Sequence, residues 1–222
     1  MLNFTNDNGL NNRIKLLMDN LENAVSRRRL VHDSFLLFFC AYFHHYMRCA
    51  LAAFHLELIG HLENGALRQL VAVMFRGSAK STIITTAYPI WAIMGSQRKK
   101  NILLVSQTQD QAHNHLKNIR RELEQNALLQ NDLGPFQDNG SPWGVGGLYI
   151  RQYDATIYCA SADQSIRGLR QGAYRPDVII FDDIENLNST STIEARQKTF
   201  EQVTSEFKPA GSDDCRFIFA GN

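Results

Sequence analysis

The sequence has little cysteine, almost no net charge and no long apolar segment. None of its four cysteines belongs to a C-x-x-C pair, which argues against a zinc site and against a disulfide framework. The most apolar run, Phe35–Phe43, is far shorter than the roughly 20 residues that span a bilayer. The polar N-terminus has no signal-peptide pattern. We therefore expect a soluble intracellular protein with no membrane association.

The formal net charge of +1 limits how the chain could bind nucleic acid. No global basic field is present, so any DNA contact must come from a local patch. The basic runs Arg27–Arg29 and Arg98–Lys100 are candidates, although a solvated face is the default interpretation of each.

The chain changes character near residue 64. Residues 1–64 form a helical N-terminal segment by pattern, whereas residues 65–222 alternate short apolar runs with longer amphipathic stretches. This alternation is typical of β-α-β units around a parallel sheet, so we expect an α/β fold. A hairpin is predicted over Leu148–Ser161. The other candidate strands are Leu70–Phe75, Ile102–Ser106, Val178–Asp182 and Arg216–Ala220.

Two amphipathic helices are predicted between these strands. Ser106 and Gln109 have the spacing of a capping box at the start of the first helix. Its apolar face comprises Ala112, Leu116, Ile119 and Leu123. The apolar face of the second comprises Ile193, Phe200, Val203 and Phe207. His113 and His115 point to different faces at this spacing, so we assign them to a solvated helix surface rather than to a metal site.

The stretch MFRGSAKST, residues 74–82, is nearly a phosphate-binding loop. The general pattern is G-x-x-x-x-G-K-[ST], and here Met74 and Ala79 occupy the two glycine positions. Lys80 and Ser81 are in place to reach the β- and γ-phosphates and a magnesium ion. Gly77 supplies backbone freedom, and a strand precedes the loop. On this stretch alone, a Lys-Ser helix start after an ordinary glycine turn remains an alternative.

A second acidic element follows about a hundred residues later. The stretch RPDVIIFDDIE, residues 175–185, is an apolar strand that ends in adjacent carboxylates. In P-loop ATPases such a strand supplies a magnesium ligand, for which Asp182 is the candidate. Either Asp183 or Glu185 would then activate the attacking water. A strand that merely ends in solvated acids is the alternative.

Together these elements resemble the ATPase domain of the large terminase subunit of tailed bacteriophages. That family commonly writes its loop as R-G-x-A-K-S, which matches Arg76–Ser81. The stretches LLVSQTQDQAHNHLKNIRRELEQN and QSIRGLRQGAYRPDVIIFDDIEN add to the similarity. The resemblance implies a P-loop NTPase sheet of the ASCE/RecA-like type. It also implies hydrolysis of ATP with Mg²⁺ to move double-stranded DNA into a procapsid.

The same resemblance implies roles for individual residues. Arg76 would reach the γ-phosphate within its own subunit, and Arg167 would act across a subunit boundary, with Arg170 a weaker candidate. Asn222 would sense the γ-phosphate. Phe54 and His55 are candidates for packing around adenine, although a core aromatic beside a satisfied histidine is nearly as good an interpretation. The backbone of the loop, Gly77, Ser78, Ala79 and Thr82 included, would line the phosphates.

The resemblance also implies binding partners and a cellular location, and two alternative functions stay open. The implied partners are double-stranded DNA, the portal protein, the small terminase subunit and further copies in a homo-oligomeric ring, with a monomer left open for the isolated chain. The implied location is the host cytoplasm. No later acidic cluster is present, so we expect no nuclease domain or DNA cleavage. A helicase-like motor and a nucleotide-binding assembly module are the alternatives, while the lack of N-K-x-D argues against a GTPase.

Overall fold

A six-stranded sheet organises the computed structural model, which describes residues 23–137, 143–162, 175–185 and 192–222 together with Gly9, Asn12 and Lys15. The strands lie in the order β1-β6-β5-β2-β4-β3. Their bounds are β1 Gln69–Val73, β2 Asn101–Ser106, β3 Gly147–Ile150, β4 Ala155–Ser161, β5 Val178–Asp182 and β6 Arg216–Gly221.

Five of the strands run parallel, and β3 pairs antiparallel with β4 at one edge. Strands β2, β4 and β5 are buried along their whole length, as expected for strands covered on both faces. The predicted α/β class is confirmed. The predicted hairpin is present as well, and its turn contains Asp154 in a left-handed conformation with φ 45°.

Helices cover both faces of the sheet. Their bounds are α1 Ala24–Asp33, α2 Phe35–Tyr42, α3 Ala53–Glu63, α4 Tyr88–Met94, α5 Gln109–Gln125, α6 Ala127–Leu133, α7 Ile193–Gln202 and α8 Lys208–Ala210. Two π-helical stretches, Thr82–Ala87 and Val203–Phe207, lead directly into α4 and α8. None of the helices within the described residues is long and apolar enough to cross a lipid bilayer.

The larger hydrophobic core lies on the face covered by α1 to α6. It joins the N-terminal helices to the sheet in one continuous cluster. The boundary between residues 64 and 65 stays a prediction. The four apolar residues predicted for α5 are all buried, which confirms that face. The predicted capping box is wrong by two residues, because Ser106 still belongs to β2 and the box is formed by Thr108 and Gln111.

The opposite face of the sheet has a smaller core. Phe181 and Phe219 stack with ring centroids 4.6 Å apart, and Phe207 packs edge-on against Phe181. The predicted apolar face of α7 is only partly correct, because Ile193 is 74% exposed and Phe200 is 63% exposed. The sheet surface that α7 could cover is therefore left partly open beside β1.

Candidate nucleotide-binding site

The order of the sheet brings three loops to one edge. Because β1, β6 and β5 are parallel neighbours, the segments that follow them leave the sheet at the same end. The phosphate-loop candidate follows β1, Asn222 follows β6, and Asp183 follows β5. Since β6 lies between the other two strands, Asn222 lies between the loop and the acidic residues.

The loop turns through two residues with left-handed backbone conformations. Gly77 has φ 82°, which glycine adopts without steric cost. Ala79 has φ 58° and occupies a position where the general motif has glycine. The helix begins at Lys80, at a cavity of about 280 Å³ that residues 75–82 line with Asp183 and Asn222. A helix N-terminus of this kind favours anions.

Lys80 is held in this cavity by polar side chains from the two neighbouring strands. Its side chain is only 6% exposed. Its Nζ donates to Asp183 Oδ1 at 2.9 Å and to Asn222 Oδ1 at 3.4 Å. The Asn222 amide in turn donates to Asp183 Oδ2 at 3.4 Å. The three residues that sequence analysis assigned to the phosphate end of the site therefore form one hydrogen-bonded group.

Ser81 and Asp182 form the second group. The Ser81 hydroxyl donates to Asp182 Oδ2 at 2.9 Å, and Asp182 is 4% exposed. Its Oδ1 is buried and has no hydrogen-bond partner among the described residues. A carboxylate oxygen in this condition favours a cation. These residues therefore fit a magnesium ion held by one hydroxyl, one carboxylate and the phosphates of a nucleotide.

No cluster of three or more His, Cys, Asp or Glu side chains within the described ranges could hold a metal by itself. Mg²⁺ does not require one, since it commonly binds through one or two protein oxygens plus substrate phosphates and water. Ser78 adds a second fitting feature, because its hydroxyl is buried in the loop and also lacks a partner in the described part of the chain. A phosphate oxygen could accept from it.

Asp183 and Glu185 occupy different places. Asp183 lines the loop cavity and has a left-handed backbone with φ 46°, held by its N–H bond to the Ala220 carbonyl at 2.9 Å. Asp183 also lines an adjoining, larger cleft of about 780 Å³, whereas Glu185 is exposed and lines only that cleft. Of the two candidate bases, Asp183 is therefore the one already beside Lys80.

The remaining predicted residues fall into three groups. Arg76 is exposed and lines both the cavity and the cleft. Thr82 lines the cavity at the start of the π-helical stretch. Arg167 and Arg170 lie outside the described residues, so the role of Arg167 stays a prediction.

His55 has a contact that sequence analysis did not anticipate. Its Nδ1 accepts from the Ala52 backbone N–H at 3.0 Å, so Nε2 carries the proton and donates to the Ser78 carbonyl at 2.9 Å. His55 thus fastens the loop to the start of α3. Phe54 packs edge-on against the exposed Phe75 ring, with centroids 5.5 Å apart, which leaves an aromatic surface at the rim of the cavity.

Sequence analysis missed two residues beside the metal-binding candidates. His115 was assigned to a solvated surface, yet its Nε2 lies 3.1 Å from Asp182 Oδ2. Its Nδ1 lies 3.1 Å from the Thr85 hydroxyl. The available signal was the helical phase of α5, because His115 lies three residues after buried Ala112 and next to buried Leu116. That phase puts His115 at the border of the buried face.

Structural comparison identifies the architecture. The crystal structure of the HK97 bacteriophage large terminase superposes on 79% of this chain with a TM-score of 0.52 and 14% sequence identity. The chain therefore shares its fold with part of the HK97 large terminase. This chain spans about a third of the HK97 protein, since the match covers 33% of it.

Other comparisons add less. The ATPase domain of the Thermus phage P74-26 large terminase, in a mutant form, matches 77% of this chain and 69% of its own length, at 14% identity and a TM-score of 0.44. No protein-family model and no curated protein sequence matches the chain. The likeness to the HK97 protein is therefore a likeness of fold.

Proposed function

We propose that the chain is the ATP-hydrolysing motor domain of a viral terminase large subunit. The observation that carries the proposal is the meeting of Lys80, Asp183 and Asn222 at one edge of a parallel sheet, beside the paired Ser81 and Asp182. This set supplies a phosphate-binding ammonium, a metal-binding pair and a carboxylate for water. Binding of nucleotide alone would not require all three.

The residues divide the work of hydrolysis. Lys80 and the backbone of residues 76–81 would bind the β- and γ-phosphates of ATP. Ser81 and Asp182 would hold Mg²⁺, which neutralises charge on the β- and γ-oxygens when bound. Asp183 would orient the attacking water and accept its proton, with Glu185 as the alternative. Asn222 would contact the γ-phosphate, and Arg76 would place a permanent charge near it.

The Lys80–Asp183 pair gives this scheme an order of events. The Lys80 ammonium lies 2.9 Å from Asp183 Oδ1. A bound phosphate would compete for the same ammonium and release the carboxylate toward water. Hydrolytic competence would then depend on phosphate being present.

The coupling to DNA is the finer part of the proposal. Its support is the terminase fold and the match of Arg76–Ser81 to the loop of that family. Double-stranded DNA would be the translocated substrate, with the portal protein and the small terminase subunit as partners. Several copies would act as a ring in the cytoplasm of the host, where Arg167 of one copy would complete the site of the next.

A steady-state ATPase assay with and without Mg²⁺ tests the function first. We expect Mg²⁺-dependent release of phosphate, and an increase when double-stranded DNA is added. A protein that binds ATP tightly but releases no phosphate under any of these conditions would be a nucleotide-binding assembly module. Stimulation by single-stranded but not double-stranded DNA would instead indicate a helicase-like motor.

A further inference from the structure

His115 connects the metal-binding candidates to helix α5. Its side chain is 17% exposed, and both ring nitrogens face protein oxygens. Nε2 lies 3.1 Å from Asp182 Oδ2, and Nδ1 lies 3.1 Å from Thr85 Oγ1. The ring therefore has no free nitrogen with which to bind a metal itself. Its chemistry is directed at the residues around the metal position.

Thr85 closes this set of contacts. It lies one helical turn after Ser81, is 1% exposed, and donates its hydroxyl to the Ser81 carbonyl at 2.6 Å. Ser81 in turn donates its own hydroxyl to Asp182. Polar contacts thus join four residues in one closed ring. Ser81 and Thr85 come from the helix that follows the loop, Asp182 from β5 and His115 from α5.

Within this ring, the Asp182 carboxylate has one oxygen that no described residue contacts by a hydrogen bond. Two neighbours approach its Oδ2, and its buried Oδ1 has no partner among the residues that the structure describes. A carboxylate can rotate about its last side-chain bond, so contacts that fix one oxygen also fix where the other points. Groups that orient metal ligands in this way commonly affect metal affinity as strongly as some ligands do.

We propose that His115 is a positioning residue that holds Asp182 in the orientation in which Oδ1 receives the divalent cation. This role rests on the metal site proposed above. It differs from simple packing of α5, because the buried face of that helix is already formed by Ala112, Leu116, Ile119 and Leu123. His113 provides the matched control. It lies on the same helix, and its Nε2 faces the Gln109 amide at 2.8 Å rather than Asp182.

The test measures metal binding rather than turnover. Mn²⁺ affinity is determined by electron paramagnetic resonance in the presence of the non-hydrolysable analogue AMP-PNP. The wild type is compared with His115→Leu, His115→Gln and His113→Leu. AMP-PNP affinity in EDTA is measured for each, which reports on the loop without the metal. The Gln amide N–H can donate to Asp182 Oδ2, whereas Leu has no polar group.

We expect His115→Leu to weaken Mn²⁺ binding by about tenfold or more, while its AMP-PNP affinity in EDTA stays that of the wild type. His115→Gln should regain most of the loss, and His113→Leu should bind Mn²⁺ normally. Normal Mn²⁺ affinity in His115→Leu would overturn the positioning role and leave the proposed function intact. A parallel fall in AMP-PNP affinity in EDTA, or no recovery of Mn²⁺ affinity in His115→Gln, would also overturn it. A wild type that binds no Mn²⁺ with AMP-PNP would refute the metal site itself.

Discussion

Two ion pairs in this molecule have similar chemistry and opposite surroundings. Arg27 of α1 pairs with Asp132 of α6, and the two side chains are 3% and 0% exposed. Lys80 pairs with Asp183, and these side chains are 6% and 44% exposed. The first pair is closed on all sides by protein, while the second opens on a cavity. The difference indicates which pair is structural and which can exchange a partner.

The carboxylate of the buried pair is satisfied by its own chain, although Arg27 Nη1 is buried with no hydrogen-bond partner among the described residues. Arg27 donates to both carboxylate oxygens of Asp132, and the Tyr42 hydroxyl donates to Oδ2 at 2.8 Å. Burial by itself disfavours the ionised carboxylate, but these hydrogen bonds outweigh burial and hold the pKa of Asp132 below its usual value. The Lys80 pair has no such enclosure, and a phosphate can approach the ammonium from the cavity.

The largest effect on ATP turnover should come from removing the cation of the Lys80–Asp183 pair, which we call the open pair. We expect Lys80→Ala to abolish ATP turnover, because Lys80 is the cation assigned to both the β- and the γ-phosphate, whereas Arg76, which also lines the cavity, is assigned to the γ-phosphate alone. The melting temperature should change little, since the cavity is solvent-accessible. Phosphate release and thermal unfolding check both points. Wild-type turnover in Lys80→Ala would refute the phosphate-loop assignment.

Changing Asp183, the acidic residue of the open pair, should have the next largest effect on turnover. Asp183→Asn should keep ATP binding and lose about 10²- to 10⁴-fold in turnover, which is the usual contribution of a positioned base. Glu185→Gln is the matched control, because Glu185 lines the neighbouring cleft. Single-turnover hydrolysis separates the two. If the Glu185 variant loses the activity instead, the base must reach the cavity by a rearrangement of the β5 end.

Breaking the buried pair should affect stability instead of turnover. Asp132→Ala leaves the Arg27 guanidinium buried without its carboxylate, which typically costs about 3–5 kcal/mol. Nucleotide affinity at a temperature where the variant is folded should match that of the wild type. Chemical denaturation measures the loss. Asp183→Ala is the control for this comparison. An equal loss of stability in that variant would mean that the Lys80–Asp183 pair is also structural.

The buried pair should also make the stability of the fold depend on pH. Because the folded pKa of Asp132 is lowered, its ionised form stabilises the fold above the unfolded pKa of about 3.9. That contribution is lost as the pH falls below this value toward the folded pKa. We expect the wild type to lose stability more steeply than Asp132→Asn does as the pH falls below about 3.9. Parallel curves would contradict the assignment.

Sequence analysis identified the open pair better than the buried one, for a physical reason. Lys80 and Asp183 lie in segments that follow the short apolar strands β1 and β5, and parallel strands deliver the residues that follow them to one edge. Local pattern therefore predicted a long-range meeting. Nothing local marks Arg27 and Asp132, whose contact depends on how α1 packs against α6. The buried pair becomes visible only in three dimensions.

Other differences from expectation have the same origin. The spacing that suggested a cap at Ser106 also occurs at Thr108, and only the length of β2 decides between them. His115 was separated from the site because its neighbour on β5 is distant in sequence. Phe200 follows a helical pattern, yet a cleft separates α7 from the exposed sheet surface beside β1, so the ring is not buried. In each case tertiary contacts override a correct local period.

The smallest effect tests the loop that supports the open pair. Ala79 has a left-handed backbone, which costs an L-residue roughly 1–2 kcal/mol. Ala79→Gly removes that strain but adds entropy to the unfolded chain, so we expect a net stabilisation of about 1 kcal/mol or less, with ATP affinity unchanged. Ala112→Gly, in the first turn of α5 with no such strain, should destabilise by about 1 kcal/mol or more. Chemical denaturation of both variants gives the sign. A loss of stability in Ala79→Gly as large as that in Ala112→Gly would mean that the loop does not hold this conformation in solution, and the cavity around Lys80 would then be formed only when phosphate binds.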